Sequence, residues 1–231
     1  MKVGVHNAAT GQKQVRDATP QEELAINGHW TGKASTTKGV VFVGDSNTTA
    51  DYVPIASTYA HRTASALGLT YVNSAVSGQK AAAIVTNIQA QVFAHNPHNV
   101  VVMIGTNDAD AARVAGTAVS TAVNAYIGSM RSFISAVRSA GKRLLVLSPP
   151  LSESTETNVY LLAMRDALRG LCVEQTVTMI DVTGQMQYLG TLGGTLLADC
   201  FVPSALDHYH LSAVGHAYIH DLILRAQIKA G

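Results

Sequence analysis

Three times the chain runs wholly apolar for four or five residues and then stops on a polar turn. Residues 40–43 end at Gly44, Asp45 and Ser46; residues 100–104 end at Gly105; residues 144–147 end at Ser148, Pro149 and Pro150. A short continuous apolar run closed by a turn signal predicts a strand buried on both faces, as in a parallel sheet. Residues 69–73 read as a further strand, and residues 177–182, which alternate more, as a strand at the sheet edge. Between these runs the period changes. Helices are predicted over 54–68, 80–94 and 159–171, and over a long stretch where Val119, Val123, Tyr126, Ile127, Met130, Phe133, Ile134 and Val137 recur at three-and-four spacing. Gly141 closes that helix, and Ser212 caps a final one carrying Tyr218, Ile219, Leu222 and Ile223. Strands alternating with helices predict right-handed βαβ units. The expected fold is α/β: a three-layer α/β/α sandwich around a central parallel sheet of about five strands, in the flavodoxin-like order 2-1-3-4-5.

Residues 184–206 show no such period. Gly190, Gly193 and Gly194 stand among Tyr188, Leu189, Leu192 and Leu196, so this stretch is expected to be a long loop, either a lip of the site or a surface loop tucked on the core. Residues 1–38 also stand apart. Val3, Val5 and Val15 flank a turn at Thr10 and Gly11, predicting a small hairpin, and Thr19, Pro20 and Glu22 form a capping box that opens a short helix. The chain therefore divides into an extension over 1–38, a possible docking segment, and one domain over 39–231.

Composition narrows the classes. The 231 residues are 13% charged with a formal net charge of +1, which is not the basic face of a nucleic-acid binder. No apolar stretch is long enough for a membrane span, and Met1 and Lys2 lead into a polar segment without the apolar core of a signal peptide. Cys172 and Cys200 have no metal-ligand spacing; Cys172 is expected to be a buried thiol, and pairing between the two stays open.

In open α/β sheets, ligands bind outside the carboxyl ends of the strands. Ser46 stands there, and alone it reads sooner as a polar turn residue than as a nucleophile. A serine becomes a nucleophile only beside a base. Asp207 lies three residues before His210, a spacing that lets a carboxylate hold the imidazole while its other nitrogen meets Ser46. Loops after two other strands bring Gly78, whose N–H suits an anion, and Asn107, whose side-chain amide could donate to the same point as the Ser46 N–H. Asp45 and Asp108 read as loop braces, and Tyr188, Tyr209 and Leu211 as candidate substrate contacts. His208, His210, His216 and His220 invite a metal reading, but no third ligand is indicated. No metal and no cofactor are expected.

Gly44, Asp45 and Ser46, then Gly78, then Gly105 to Asp108, then Asp207 and His210 together resemble, in order, the four blocks of the SGNH (GDSL-type) hydrolase superfamily over residues 38–228. Pro149 and Pro150 fit the same pattern, Ser74 departs from it where many members have glycine, and the Gly-x-Ser-x-Gly elbow of α/β-hydrolases is absent. The resemblance implies a serine esterase with Ser46 as nucleophile, His210 as base oriented by Asp207, and Ser46, Gly78 and Asn107 as oxyanion donors. The substrate it implies is an acylated small molecule or polysaccharide, most plausibly a carbohydrate O-acetyl ester. Lipase, lysophospholipase or thioesterase activity on longer chains is the alternative, and a non-catalytic carbohydrate-binding or virion module the alternative of another class. Residues 15–22 resemble short segments of bacteriophage tail proteins, which implies a virion tail protein as partner for residues 1–38.

Overall fold

A computed structural model describes residues 2–6, 13–17, 39–193, 195–203 and 209–229. Strands β1 (Lys2–His6) and β2 (Lys13–Asp17) pair antiparallel, with Val3 opposite Arg16 and Gly4 opposite Val15, as the hairpin pattern predicts. The turn at Thr10 and Gly11 and the capped helix after Thr19 lie outside the described residues.

The main sheet has five parallel strands: β3 (Val40–Gly44), β4 (Tyr71–Asn73), β5 (Asn99–Met103), β6 (Arg143–Leu147) and β7 (Thr178–Ile180). Their order is β4-β3-β5-β6-β7, the expected flavodoxin-like arrangement, with β7 at one edge. Helices cover both faces: α1 (Tyr59–Ala66), α2 (Ala81–Thr86), α3 (Ile88–Gln91), α4 (Thr106–Val114), α5 (Val119–Ser139), α6 (Thr155–Glu174), α7 (Val182–Thr191) and α8 (Ala213–Lys229).

The apolar runs explain themselves in the two cores. Side chains alternate across a strand, so Val41, Val43, Val100, Val102 and Val146 pack with Met130, Phe133, Leu161 and Cys172 on the α5–α6 side. Their neighbours Val40, Phe42, Val101, Met103, Leu145 and Leu147 pack with Tyr59, Met186, Ile219 and Cys200 on the other. No face of β3 or β5 reaches solvent, and each fully buried Val or Leu contributes roughly 1.5–3 kcal/mol over leaving it exposed. Cys172 and Cys200 are both free, one in each core with the sheet between them.

Several elements differ from expectation, and the helix expected over 54–68 is a 3-10 turn over Ile55–Ser57 and then α1, with Thr58 extended between them. The helix expected over 80–94 is broken into α2, α3 and a 3-10 turn over Phe93–His95, with Asn87 (ψ 10°) closing one piece and opening the next. Helix α4 stands where a loop was expected. Helix α7 replaces the start of the loop expected over 184–206, capped by Asp181 Oδ1, which accepts from Gly184 N at 2.9 Å.

Candidate active site

Strand β3 delivers its last residue into a turn that leaves no room for a side chain. A Cβ at Gly44 would collide with Thr48 Oγ1 and with the Met103 carbonyl oxygen on β5. Past it, Asp45 folds the chain over itself. Its carbonyl accepts from Thr48 N and Thr49 N, and its Oδ1 accepts from Asn47 N at 2.9 Å. Burial pushes the Asp45 carboxyl up to about 7, against the Asn47 N–H that favours its charged form, while nearby Asp108 adds to the rise. Asp45 is the brace the sequence suggests, and Ser46 stands at the crest of the turn.

Ser46 Oγ lies 2.9 Å from His210 Nε2. Several contacts hold that histidine in place. Leu211 N donates to Asn47 Oδ1 at 3.1 Å, which ties the residue after His210 to the residue after Ser46. The Tyr209 hydroxyl donates to Asp110 Oδ1 at 2.7 Å, which ties the residue before it to α4. The Tyr52 ring lies parallel to the imidazole, with centroids 3.6 Å apart and planes at 19°. Asp207 and His208 lie outside the described residues.

The other two loops meet at the same crevice. Gly78 holds a φ of 75°, a left-handed conformation that glycine takes without a Cβ penalty. Among the described residues, neither its N–H nor that of Ser46 has an acceptor within the chain. Asn107, in the first turn of α4, gives one of its two amide hydrogens to the Gln79 carbonyl at 3.1 Å, next to Gly78. Asn47 Nδ2 reaches Thr106 Oγ1 at 3.4 Å, so one buried amide spans the Ser46, Thr106 and His210 segments. Asp108 accepts from Ala81 N at 3.0 Å and joins the start of α2 to the start of α4. Burial raises its carboxyl as well, partly offset by that N–H.

Residues 42–218 match the GDSL-like lipase/acylhydrolase family. The chain belongs to it. This GDSL-like protein is a carboxylic ester hydrolase. No curated protein sequence matches it. Among solved structures, it is similar to Axe2, an acetylxylan esterase from Geobacillus stearothermophilus, at 19% identity and a TM-score of 0.67 over 84% of this chain and 94% of that one. It is also similar to the acetyl xylan esterase AlAXEase, at 19% identity and a TM-score of 0.62 over 81% and 98%. A lipase/acylhydrolase from Enterococcus faecalis, at 20% identity, has a TM-score of 0.62 over 83% and 96%.

Within this hydrolase the remaining candidates fall into place. His216 is buried against Tyr59, and its Nδ1 accepts the Tyr59 N–H at 3.2 Å; burial lowers it to about 4. His220 Nδ1 faces Thr63 Oγ1 at 3.1 Å. Both histidines pack α8 on α1, and among the described residues no three metal-ligating side chains are grouped. Tyr188 is exposed on α7, whereas Leu211 is buried in the core and is no substrate contact. The residues that sequence reading missed are Asn47, Tyr52 and Asp110. Asn47 is a neighbour of Ser46 and Asp110 lies one turn past Asn107, but nothing in the pattern says what either side chain meets.

Proposed function

We propose that this GDSL-like hydrolase is a serine esterase that removes small acyl groups, acetyl above all, from hydroxyls of carbohydrates. The observation that carries the reading is the 2.9 Å approach of His210 Nε2 to Ser46 Oγ, the distance a base needs to take a hydroxyl proton. Ser46 Oγ attacks the acyl carbon as its proton passes to His210 Nε2. The tetrahedral oxyanion accepts hydrogen bonds from Ser46 N, Gly78 N and the free amide hydrogen of Asn107. The carbon–oxygen bond to the alcohol then breaks, and His210 returns the proton to the leaving oxygen. Water gives a proton to His210, attacks the acyl-serine and releases the carboxylic acid, with the proton going back to Ser46 Oγ. Asp207 holds His210 in the tautomer this sequence requires. The carbohydrate side of the proposal is supported by the acetylxylan esterases among its structural neighbours.

Ser46→Ala is expected to abolish hydrolysis of p-nitrophenyl acetate, and turnover at the parental rate would sink the mechanism. Asp207→Asn is expected to fold normally and lose activity by a factor approaching about 10⁴, as loss of the orienting acid does in other triads. Comparison of acetyl with octanoyl esters tests the acyl group; a steep preference for octanoyl overturns the acetyl assignment.

A further inference from the structure

An oxyanion shared by two backbone N–H groups is fully stabilised only while both groups point at one place. Ser46 N and Gly78 N come from different loops, so the two loops must be held in register. The Gly78 loop is anchored at both feet. Val76 N donates to the Gly44 carbonyl at 3.0 Å, and the Gln79 side chain exchanges hydrogen bonds of 3.0 and 2.9 Å with that of Gln91. Between these anchors Gln79 N closes a four-residue turn on the Val76 carbonyl at 3.1 Å, with Gly78 third in it. Its φ of 75° is that of a type II turn, and the Gly78 N–H takes no part in the turn's own bond.

The crest of this turn has its own tie to the Ser46 segment. The Ser77 hydroxyl donates to Asp51 Oδ2. Thr49 Oγ1 lies 2.8 Å from the same carboxylate oxygen and 3.1 Å from the Ser46 carbonyl oxygen, so one hydroxyl stands between the carboxylate and the backbone of Ser46. Among the described residues, no other hydrogen bond joins Ser77 or Gly78 to the rest of the chain. The Ser77 hydroxyl first, and then that of Thr49, hold the Asp51 carboxyl below its ordinary value, which is the sign of bonds made to the charged form.

We infer that Asp51 is a positioning residue: by holding the Ser77 hydroxyl it sets the Gly78 N–H against the Ser46 N–H, so that both address one oxyanion. Asp51 acts through Ser77 and needs no contact with substrate. The inference rests on the serine-esterase reading above and adds to it the part that aligns the oxyanion donors. Formation and breakdown of an acyl-serine both pass through that oxyanion. Losing the alignment therefore slows both steps and lowers kcat with KM little changed.

Asp51 and Ser77 are both exposed, so alanine variants of either are expected to fold, which far-UV circular dichroism checks. On p-nitrophenyl acetate, Asp51→Ala and Ser77→Ala are each expected to lower kcat by about tenfold, the size of one lost hydrogen bond to a charged group. KM is expected to stay within about twofold. The double variant is expected to lose no more than either single one, because both changes remove the same bond. Ser77→Thr keeps the hydroxyl and is expected to keep the parental kcat. Parental kcat in Asp51→Ala, a loss in Asp51→Ala that Ser77→Ala does not share, or losses that multiply in the double variant would each overturn the inference. So would a change in KM larger than that in kcat. The serine reading has its own control: hydrolysis at the parental rate by Ser46→Ala would overturn that reading, whatever Asp51 does.

Discussion

Asn47 sits one place after the proposed nucleophile and is buried, and both ends of its amide are used. Replacing it with leucine keeps the bulk but leaves the Leu211 N–H buried without an acceptor, which costs about 1–3 kcal/mol. Asn47→Leu is therefore expected to lower the urea midpoint and to reduce kcat by more than tenfold with KM little changed, since the lost contacts position His210 and touch no substrate. A larger effect on KM than on kcat would show that Asn47 acts elsewhere. Gly44 teaches the complementary lesson. Its requirement comes from the approach of Thr48 and Met103 to the space a Cβ would fill, so Gly44→Ala is expected to destabilise the fold and displace the Ser46 turn together.

At the level of elements, α4 links the proposed oxyanion donor to the proposed base. Asn107 opens it, and Asp110, one turn later, receives the Tyr209 hydroxyl. Asp110 is also held by Arg113, itself 3.6 Å from Glu156 on α6. Tyr209→Phe removes the hydroxyl that bonds Asp110 and also meets Thr157 Oγ1 at 3.5 Å, and no apolar bulk; it is expected to reduce kcat several-fold while stability falls by no more than about 3 kcal/mol. Neither α4 nor α7 could be read from hydrophobic period. Helix α4 is built of small and acidic residues and buries only Thr106 and Ala109, and α7 contains two glycines and buries Val182, Thr183 and Met186. The central strands were legible because burial on both faces leaves the unbroken apolar runs 40–43, 100–103 and 145–147. The turns that carry Ser46 and Gly78 were legible because each follows a strand, but how Asn47, Tyr52 and Asp110 join them depends on contacts between distant segments.

Across the whole molecule, two buried titratable groups pull stability in opposite directions with pH. Asp45 has its folded value raised from 3.8 to about 7, so the native state keeps a proton that the unfolded chain loses, and stability declines as pH rises through that window. His216 has its folded value lowered from 6.5 to about 4, so the native state lacks a proton that the unfolded chain takes up, and stability declines as pH falls through that window. The windows overlap. Relative to the parent, Asp45→Asn is expected to gain stability progressively between pH 4 and 7, and His216→Leu to gain it as pH drops from 6.5 to 4. Denaturant titrations at a series of pH values check both, and parallel curves for all three proteins would refute the assignment.

Ser46 and His210 lie 164 positions apart, at the tip of a central strand and just ahead of α8. A chain emerging from the ribosome exposes the Ser46 hydroxyl early and meets the imidazole only after four further strands have been made. Until then it is chemically silent, because an unassisted serine hydroxyl is a poor nucleophile. Contacts of such long sequence separation are slow to close. After dilution from urea, catalytic turnover should therefore return later than the helical far-UV signal, which makes activity a clock for the final docking step.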